Sequence, residues 1–476
     1  MRLHRHVACL SPMNVDAASV RHEDWAPALT GGEYGEVFLE NSRGTAVSFE
    51  DSRVTEISSG EDRGTGLRYL ERGPDGSIQT LHGAINAIDP SEARRLADSL
   101  LAGRVRKSPP PFARPEVFRK NLLLVPGDFP MEEKVALLAK LDGIIRSEFP
   151  HIRQVHLAYS ERERRFAILD TDGAFKIGER VTMALGVSVT AEKKGVLQSG
   201  SEVISGLKGR ELLVDYDAVR IARRAARSAV EKLSAPVATA GQMPVVLASS
   251  AGGTFVHEAI GHSLEADHVQ EGTSPHYAGA IGKTIANEFL TIVDDPSLPF
   301  ARGSFPFDDE GLPARATPLV ENGVLVDYLY DRTTALRDGR ASNGHGRRES
   351  FRNKPIPRMS NLYIAPGKED PAAILRDLDK GLWVTKMGGG EVNTATGEFV
   401  FGVDEGYWVE GGKIRHRVRD ANMLGVGPDV LRSIDRLGWD MGWGVGTCGK
   451  QGQGVPVSDG QPTLRIPSLL IGGREE

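Results

Sequence analysis

The stretch Thr254-Phe255-Val256-His257-Glu258-Ala259-Ile260-Gly261-His262 sets an apolar lead-in before two histidines, with a carboxylate directly after the first. Two imidazoles can hold a zinc ion while an adjacent glutamate stays free to take a proton from water, the division of labour of a metallopeptidase. The histidines are five residues apart, one more than in HExxH. On a regular α-helix of about 3.6 residues per turn, four residues leave two side chains about 40° apart, and five leave them roughly 140° apart. Joint ligation therefore predicts a π-type widening or a helix that loosens near Gly261. Without such a feature these are two ordinary histidines near a helix end.

A third ligand is needed, and the cysteines nominate one. The 476 residues contain two, Cys9 and Cys448, so no disulfide framework is expected and the chain reads as a protein of a reducing compartment. Cys448 lies in Trp443-Gly444-Val445-Gly446-Thr447-Cys448-Gly449-Lys450-Gln451-Gly452-Gln453-Gly454-Val455-Pro456-Val457, read as a glycine-dense loop that lets backbone approach a ligand. Lys450 is placed to help keep the sulfur as thiolate, the metal-binding form. The alternative is a buried, inert cysteine. Cys9, with no glycine or histidine company, fits that inert role.

Three separated segments then carry a family likeness. They are His257 to His262; Gly346-Arg347-Arg348-Glu349-Ser350-Phe351-Arg352 with Pro357-Arg358-Met359-Ser360-Asn361; and Thr447-Cys448-Gly449-Lys450-Gln451-Gly452-Gln453. In this order they resemble the TldD/PmbA family of metallopeptidases, in its TldD branch. Weaker similarity runs through the first half, including Gly60-Glu61-Asp62-Arg63-Gly64-Thr65-Gly66-Leu67-Arg68. The resemblance implies one zinc per chain on His257, His262 and Cys448, with Glu258 as general base. It also implies a dimer, either a homodimer or a heterodimer with a PmbA-like subunit, that encloses the site in a chamber and acts on short or unfolded peptides. The PmbA-type subunit lacks this metal site, so its presence here points to the catalytic subunit or a self-sufficient homodimer.

Composition agrees with a large enzyme of the cytoplasm. Hydrophobic residues make up 40% and charged residues 26% of the chain, ordinary for a globular protein. A net charge of −6 gives no reason to expect nucleic acid or an anionic membrane as partner. The start, Met1 to Pro12, has basic residues but no apolar run fit for a signal peptide, and no later stretch is expected to span a bilayer.

The length predicts two domains, joined at Ser234-Ala235-Pro236-Val237-Ala238-Thr239-Ala240-Gly241. The fold expected is α+β. Residues 1–235 form an α/β domain with a mixed or antiparallel sheet and flanking helices. Residues 242–476 form a β-rich domain, a barrel-like antiparallel sheet carrying the metal-site helix. In the first half Val37 to Glu40, Gly44 to Ile57 and Gly66 to Arg72 read as strands. Gln154 to Ser160 and Arg165 to Thr171 read as a hairpin, and Val181 to Thr190 as a further strand. Helices are expected over Pro90 to Ala102, Met131 to Glu148 and Val214 to Leu233. In the second half Thr254 to Asp267 is the metal helix. Hairpins are centred on Asn322-Gly323 and on Glu410-Gly411-Gly412, and many of the 55 glycines fall in this half.

Other features carry less. Gly444 to Lys450 matches GxxxxGK, but Gln451 stands where Ser or Thr must bind magnesium, so a nucleotide-binding loop is disfavoured. Arg220, Arg223, Arg224 and Arg227 read as a solvated helix face. His345, Arg347 and Arg348, in a glycine-rich charged loop, are candidates for contact with substrate. His268 and His276 compete weakly as ligands. The rival to catalysis is a non-catalytic peptide-binding or scaffold subunit that retains a metal site; the intact Glu258 argues against it.

Overall fold

Four strands of 17 to 20 residues dominate the first half of the protein, seen in a computed structural model: Tyr34–Glu50, Arg53–Arg72, Ile152–Asp170 and Phe175–Lys193. The structure describes residues 15, 19–106, 111–112, 114–118 and 129–473; Cys9 and the basic start lie outside them. The sheet runs in the order Ile78–Ile85, Arg53–Arg72, Tyr34–Glu50, Ile152–Asp170, Phe175–Lys193, Glu116–Phe118, and Val196–Gly206 also pairs with Phe175–Lys193. Among the described residues of this sheet only the short Glu116–Phe118 pairing is parallel, which makes the sheet mixed.

Two turns differ from the expectation. Gly44 to Ile57 is not one strand, because the chain reverses at Asp51 and Ser52, both at positive φ (47° and 66°). Such hairpins usually announce themselves with Asn or Gly, and here neither is present. Conversely, the segment expected to form a hairpin from Gln154 to Thr171 is one unbroken strand, Ile152–Asp170, with Thr171 in the turn that follows. The charged run Glu161-Arg162-Glu163-Arg164 stays extended because its side chains are paired. Glu161 meets Lys134 at 2.5 Å, Glu163 meets Arg43 at 2.6 Å, and Arg164 meets Glu40 at 3.0 Å.

The helices Met131–Glu148 and Ala218–Lys232 cover one part of this sheet, and Pro90–Leu100 covers another. The helix expected over Val214 to Leu233 is interrupted. Asp217 is left-handed (φ 49°), and its carboxylate caps the next helix by accepting from Val219 N at 3.1 Å and Arg220 N at 3.3 Å.

From Gly241 the chain builds a closed five-stranded barrel. Its strands in order are Gly241–Leu247, Leu464–Gly472, Ala421–Val426, Glu398–Glu410 and Lys380–Val392, the last pairing back onto the first. The closing pair is parallel and the others antiparallel. A second sheet of six strands includes Ile292–Asp294 and Asn361–Ile364 and ends in the hairpin of Gln453–Gln461 with Gly442–Lys450. The glycine-dense segment is thus strand and not loop, turning at Gln451 and Gly452 (φ 49° and 72°). No helix follows it, which removes the structural basis of a phosphate loop. No helix among the described residues is long and apolar enough to cross a membrane, which leaves strand-built spans unaddressed.

The two halves meet over buried charge. Arg68 donates to Glu36 at 2.8 Å and Glu310 at 2.5 Å, all three fully buried. Arg348 also bonds Glu36 and donates to Asp309 O at 2.9 Å. Gly64 and Gly66 sit where any Cβ would overlap Phe351, so the segment Gly60 to Arg68 brings backbone of the second half directly onto the sheet.

Removing Arg68 leaves Glu310 a buried carboxylate with no guanidinium. Arg68→Ala is expected to cost about 3–5 kcal/mol of stability, read as a lower midpoint in urea denaturation followed by circular dichroism. An unchanged midpoint would show that this contact does not hold the halves together.

Candidate metal centre

The metal segment is not one helix. After Gly253 come a single α turn, Thr254–Val256, a π turn, His257–Gly261, and a 3-10 turn, His262–Leu264. The wider turn returns His262 to the side of His257, and the two rings lie 5.0 Å apart and nearly perpendicular. Packing holds it there. Phe255, Ala259 and Ile260 are buried between the barrel and the second sheet, and Phe255 stands edge-on to Phe399 at 5.9 Å. A Cβ on Gly261 would overlap the Met359 sulfur.

Cys448 comes from the edge strand Gly442–Lys450, and its Sγ lies 3.5 Å from His262 Nε2. One donor atom each from His257, His262 and Cys448 falls within 4.8 Å of the others. Two imidazoles and a thiolate suit zinc in type, and three protein donors are the number found in catalytic zinc sites.

Each histidine is held by a carboxylate on its other nitrogen. His257 Nδ1 lies 2.6 Å from Asp459 Oδ1, and His262 Nδ1 lies 3.0 Å from Glu265 Oε2. These contacts leave each Nε2 free to ligate a metal and fix the ring plane. Asp459 reaches His257 because Gly253 carries no Cβ, which would overlap Asp459 and Gly460.

Lys450 does not touch the sulfur. Its Nζ lies 3.1 Å from Glu265, 2.6 Å from Asp267 and 3.2 Å from Pro357 O, so it supports His262 through Glu265. Burial disfavours the Cys448 thiolate, but hydrogen bonds from His257 and His262 outweigh it and lower its pKa to about 5. Burial likewise opposes charge on the histidines. Asp459 nonetheless raises His257 well above its ordinary value, and Glu265 with the sulfur raises His262 to about 10. Glu265, despite burial, is held well below the usual carboxylate range by Lys450 and His262.

Glu258 stands apart from the three donors. With His257 it lines a cavity of about 590 Å³ bounded by the edge strands Val196–Gly206 and Gly442–Lys450. Burial raises its pKa, countered in part by both histidines.

The remaining candidates lie elsewhere. His345 is fully buried, 3.1 Å from both Asp294 and Asn343, with no side-chain contact to the cluster. Arg347 donates to Met359 O and to Pro456 O at 2.8 Å. Arg347 and Arg348 line a second cavity of about 370 Å³ that shares Thr447 with the first. His268 contacts Thr273 at 2.8 Å, and His276 contacts Thr396 O at 3.1 Å; neither joins the cluster. Glu265 and Asp459 were not anticipated. Glu265, three residues after His262, carried a legible signal, whereas Asp459 is 202 residues from His257.

Residues 35–101 match PmbA/TldA metallopeptidase domain 1, residues 125–233 the central domain and residues 240–473 the C-terminal domain. The Metalloprotease TldD homolog of Haemophilus influenzae is 32% identical over 458 residues, covering 93% of each chain. The Zinc metalloprotease TldD homolog of Saccharolobus solfataricus is 30% identical over 343 residues, covering 72% of this chain and 76% of that one. Among solved structures, a putative modulator of a DNA gyrase from Thermotoga maritima superposes with a TM-score of 0.75 at 23% identity, covering 92% of this chain and 96% of that one. TldE from Thermococcus kodakarensis superposes with a TM-score of 0.70 at 18% identity, covering 93% and 97%. These two likenesses concern the fold.

Asp459→Asn keeps the shape of the contact but not its charge. It is expected to weaken zinc affinity about 10–100-fold, measured by competition with a chromophoric chelator, while Cys448→Ala abolishes stoichiometric zinc. Wild-type affinity in both variants would remove these residues from the site.

Proposed function

The chain belongs to the TldD/PmbA family of metallopeptidases, and from that premise we propose that it is a zinc-dependent peptidase of the cytoplasm, one zinc per chain, cleaving short or unfolded polypeptides. The observation that carries this reading is the convergence of His257, His262 and Cys448 beside a separate carboxylate, Glu258, that faces the cavity. Zinc bound by those three side chains supplies a Lewis acid that polarises the scissile carbonyl and makes water easier to deprotonate.

The protein's own groups do the rest. Glu258 takes the proton from the attacking water and passes it to the leaving amine; burial, which raises its pKa, suits it to hold that proton between steps. Asp459 and Glu265 keep the imidazoles oriented through the cycle. The thiolate donates more charge than a third imidazole, so the site leans on Glu258. Two edge strands bordering one cavity support binding of an extended peptide by strand addition, which supplies backbone hydrogen bonds without demanding a sequence. Enclosure in a dimer, of two such chains or with a PmbA-like subunit, would keep an always-active site from folded proteins.

Two measurements test this reading. Glu258→Ala is expected to keep its zinc and lose peptide hydrolysis by about two orders of magnitude or more; loss of zinc with activity would make Glu258 a ligand instead, and full activity would leave the metal site non-catalytic. Light scattering is expected to find a dimer that digests a denatured protein and spares its native form. An active monomer, or rapid digestion of the native form, would dismiss the chamber.

A further inference from the structure

The second cavity, which meets the first at Thr447, carries more positive charge than its partners neutralise. Six arginines line it against three carboxylates, Glu161, Asp309 and Glu349. Those carboxylates are already engaged. Glu161 meets Lys134 at 2.5 Å, Asp309 meets Arg180 at 3.2 Å and Arg164 at 3.5 Å, and Glu349 accepts from Gly454 N at 2.8 Å. Arg162 and Arg164 share Glu40, and Arg348 is paired with Glu36.

Arg302 and Arg347 are left without an acidic partner among the described residues. Arg302 donates to Gly446 O at 3.0 Å, to Thr447 Oγ1 at 3.2 Å and to Ser205 Oγ. Both charged ends of Arg347 go to carbonyls, and its buried Nε has no hydrogen-bond partner; nor do Nε and Nη1 of the equally buried Arg348. Burial and the nearby Arg180 push Arg347 down to about 9, as expected of a cation short of counter-charge. The unused donors are Arg347 Nε and Arg348 Nε and Nη1, on fully buried guanidiniums of the kind carboxylates meet, while half-buried Arg302 spends its three nitrogens on a carbonyl and two hydroxyls and adds an unpaired charge. At about 370 Å³ the pocket has room for a side chain, on the order of ten water volumes.

Its position gives the charge a use. Arg302 grips Gly446 and Thr447, next to the metal-binding Cys448, and Arg347 grips Pro456, the cross-strand partner of Thr447. Thr447 borders both cavities. A peptide lying along this strand would therefore run from the metal site toward the arginine pocket.

We propose that Arg302 and Arg347 form a subsite for a carboxylate carried by the peptide substrate, either an acidic side chain or a free C-terminus. The proposal rests on the peptidase reading and adds a substrate preference to it.

The test uses zinc-loaded wild type and Arg302→Gln with matched fluorogenic peptides: Glu against Gln at each position flanking the cut, and a free C-terminal acid against its amide. At least one acid should exceed its neutral partner tenfold or more in kcat/KM, and the arm that responds identifies the source of the carboxylate. In Arg302→Gln that ratio should fall toward one, and Arg302→Lys should restore part of it. Ratios of one in both arms with wild type, or a ratio indifferent to Arg302→Gln, overturn the proposal. If no peptide is cut, the peptidase reading fails by itself, and fluorescence anisotropy of the labelled pairs then decides: tighter binding of an acid sustains the subsite, and equal binding ends it.

Discussion

A regular helix cannot hold two ligands five residues apart on one face, and the second half of the protein is arranged around that constraint. The π turn at His257–Gly261 gives up ideal hydrogen-bond geometry, so it persists only where packing over-determines it. Three glycines show how closely it is gripped. A Cβ on Gly253 would overlap Asp459, on Gly261 the Met359 sulfur, and on Gly427 the Ala259 carbonyl. The barrel side and the sheet side therefore both touch the turn through bare backbone, and neither can shift without separating His257 from His262.

The strand that carries Cys448 is equally fixed, and by charge. Arg358 donates to the carbonyls of Cys448 and Gln453 across the hairpin and lies 3.8 Å from Glu265. Glu265 in turn is shared with His262 and Lys450. One buried carboxylate thus links the turn that carries a histidine to the strand that carries the sulfur. Gln453 and Glu349 extend the linkage, since Gln453 accepts from Glu349 N at 3.2 Å and Glu349 accepts from Gly454 N. The next residues, Arg348 and Phe351, reach Glu36 and Glu40 of the first sheet. The arginine-rich motif therefore serves as a bracket between the first sheet and the strand that carries Cys448. Removing one member of such a network leaves its partners buried and unpaired, which costs more than the lost bond.

The candidate site was legible where chemistry and local spacing coincide. The two histidines, the intervening glutamate and a cysteine among glycines could be picked out because each residue type is rare or out of pattern, and the five-residue spacing pointed to the wide turn. The glycines were misread as a loop. In fact Gly442 and Gly444 alternate on a strand whose neighbour is the backbone at Ser249 and Gly252, and close approach in a sheet leaves the same trace in composition as a loop does. The β-rich second half followed from its turn residues at Asn322-Gly323 and Gly411-Gly412, while the turn at Asp51-Ser52 lacked that signature and was missed.

The supporting charges were illegible for a different reason. Asp459, Arg302 and Glu310 carry no spacing that ties them to a partner, because each acts across more than 140 residues of sequence: 202 from Asp459 to His257, 145 from Arg302 to Thr447 and 242 from Glu310 to Arg68. A single sequence reports which groups can do chemistry. Which of them a fold desolvates, and which it leaves without a counter-charge, depends on the packing of distant segments. That is why Arg347 could be picked out from its loop while Arg302, which lines the same cavity, could not.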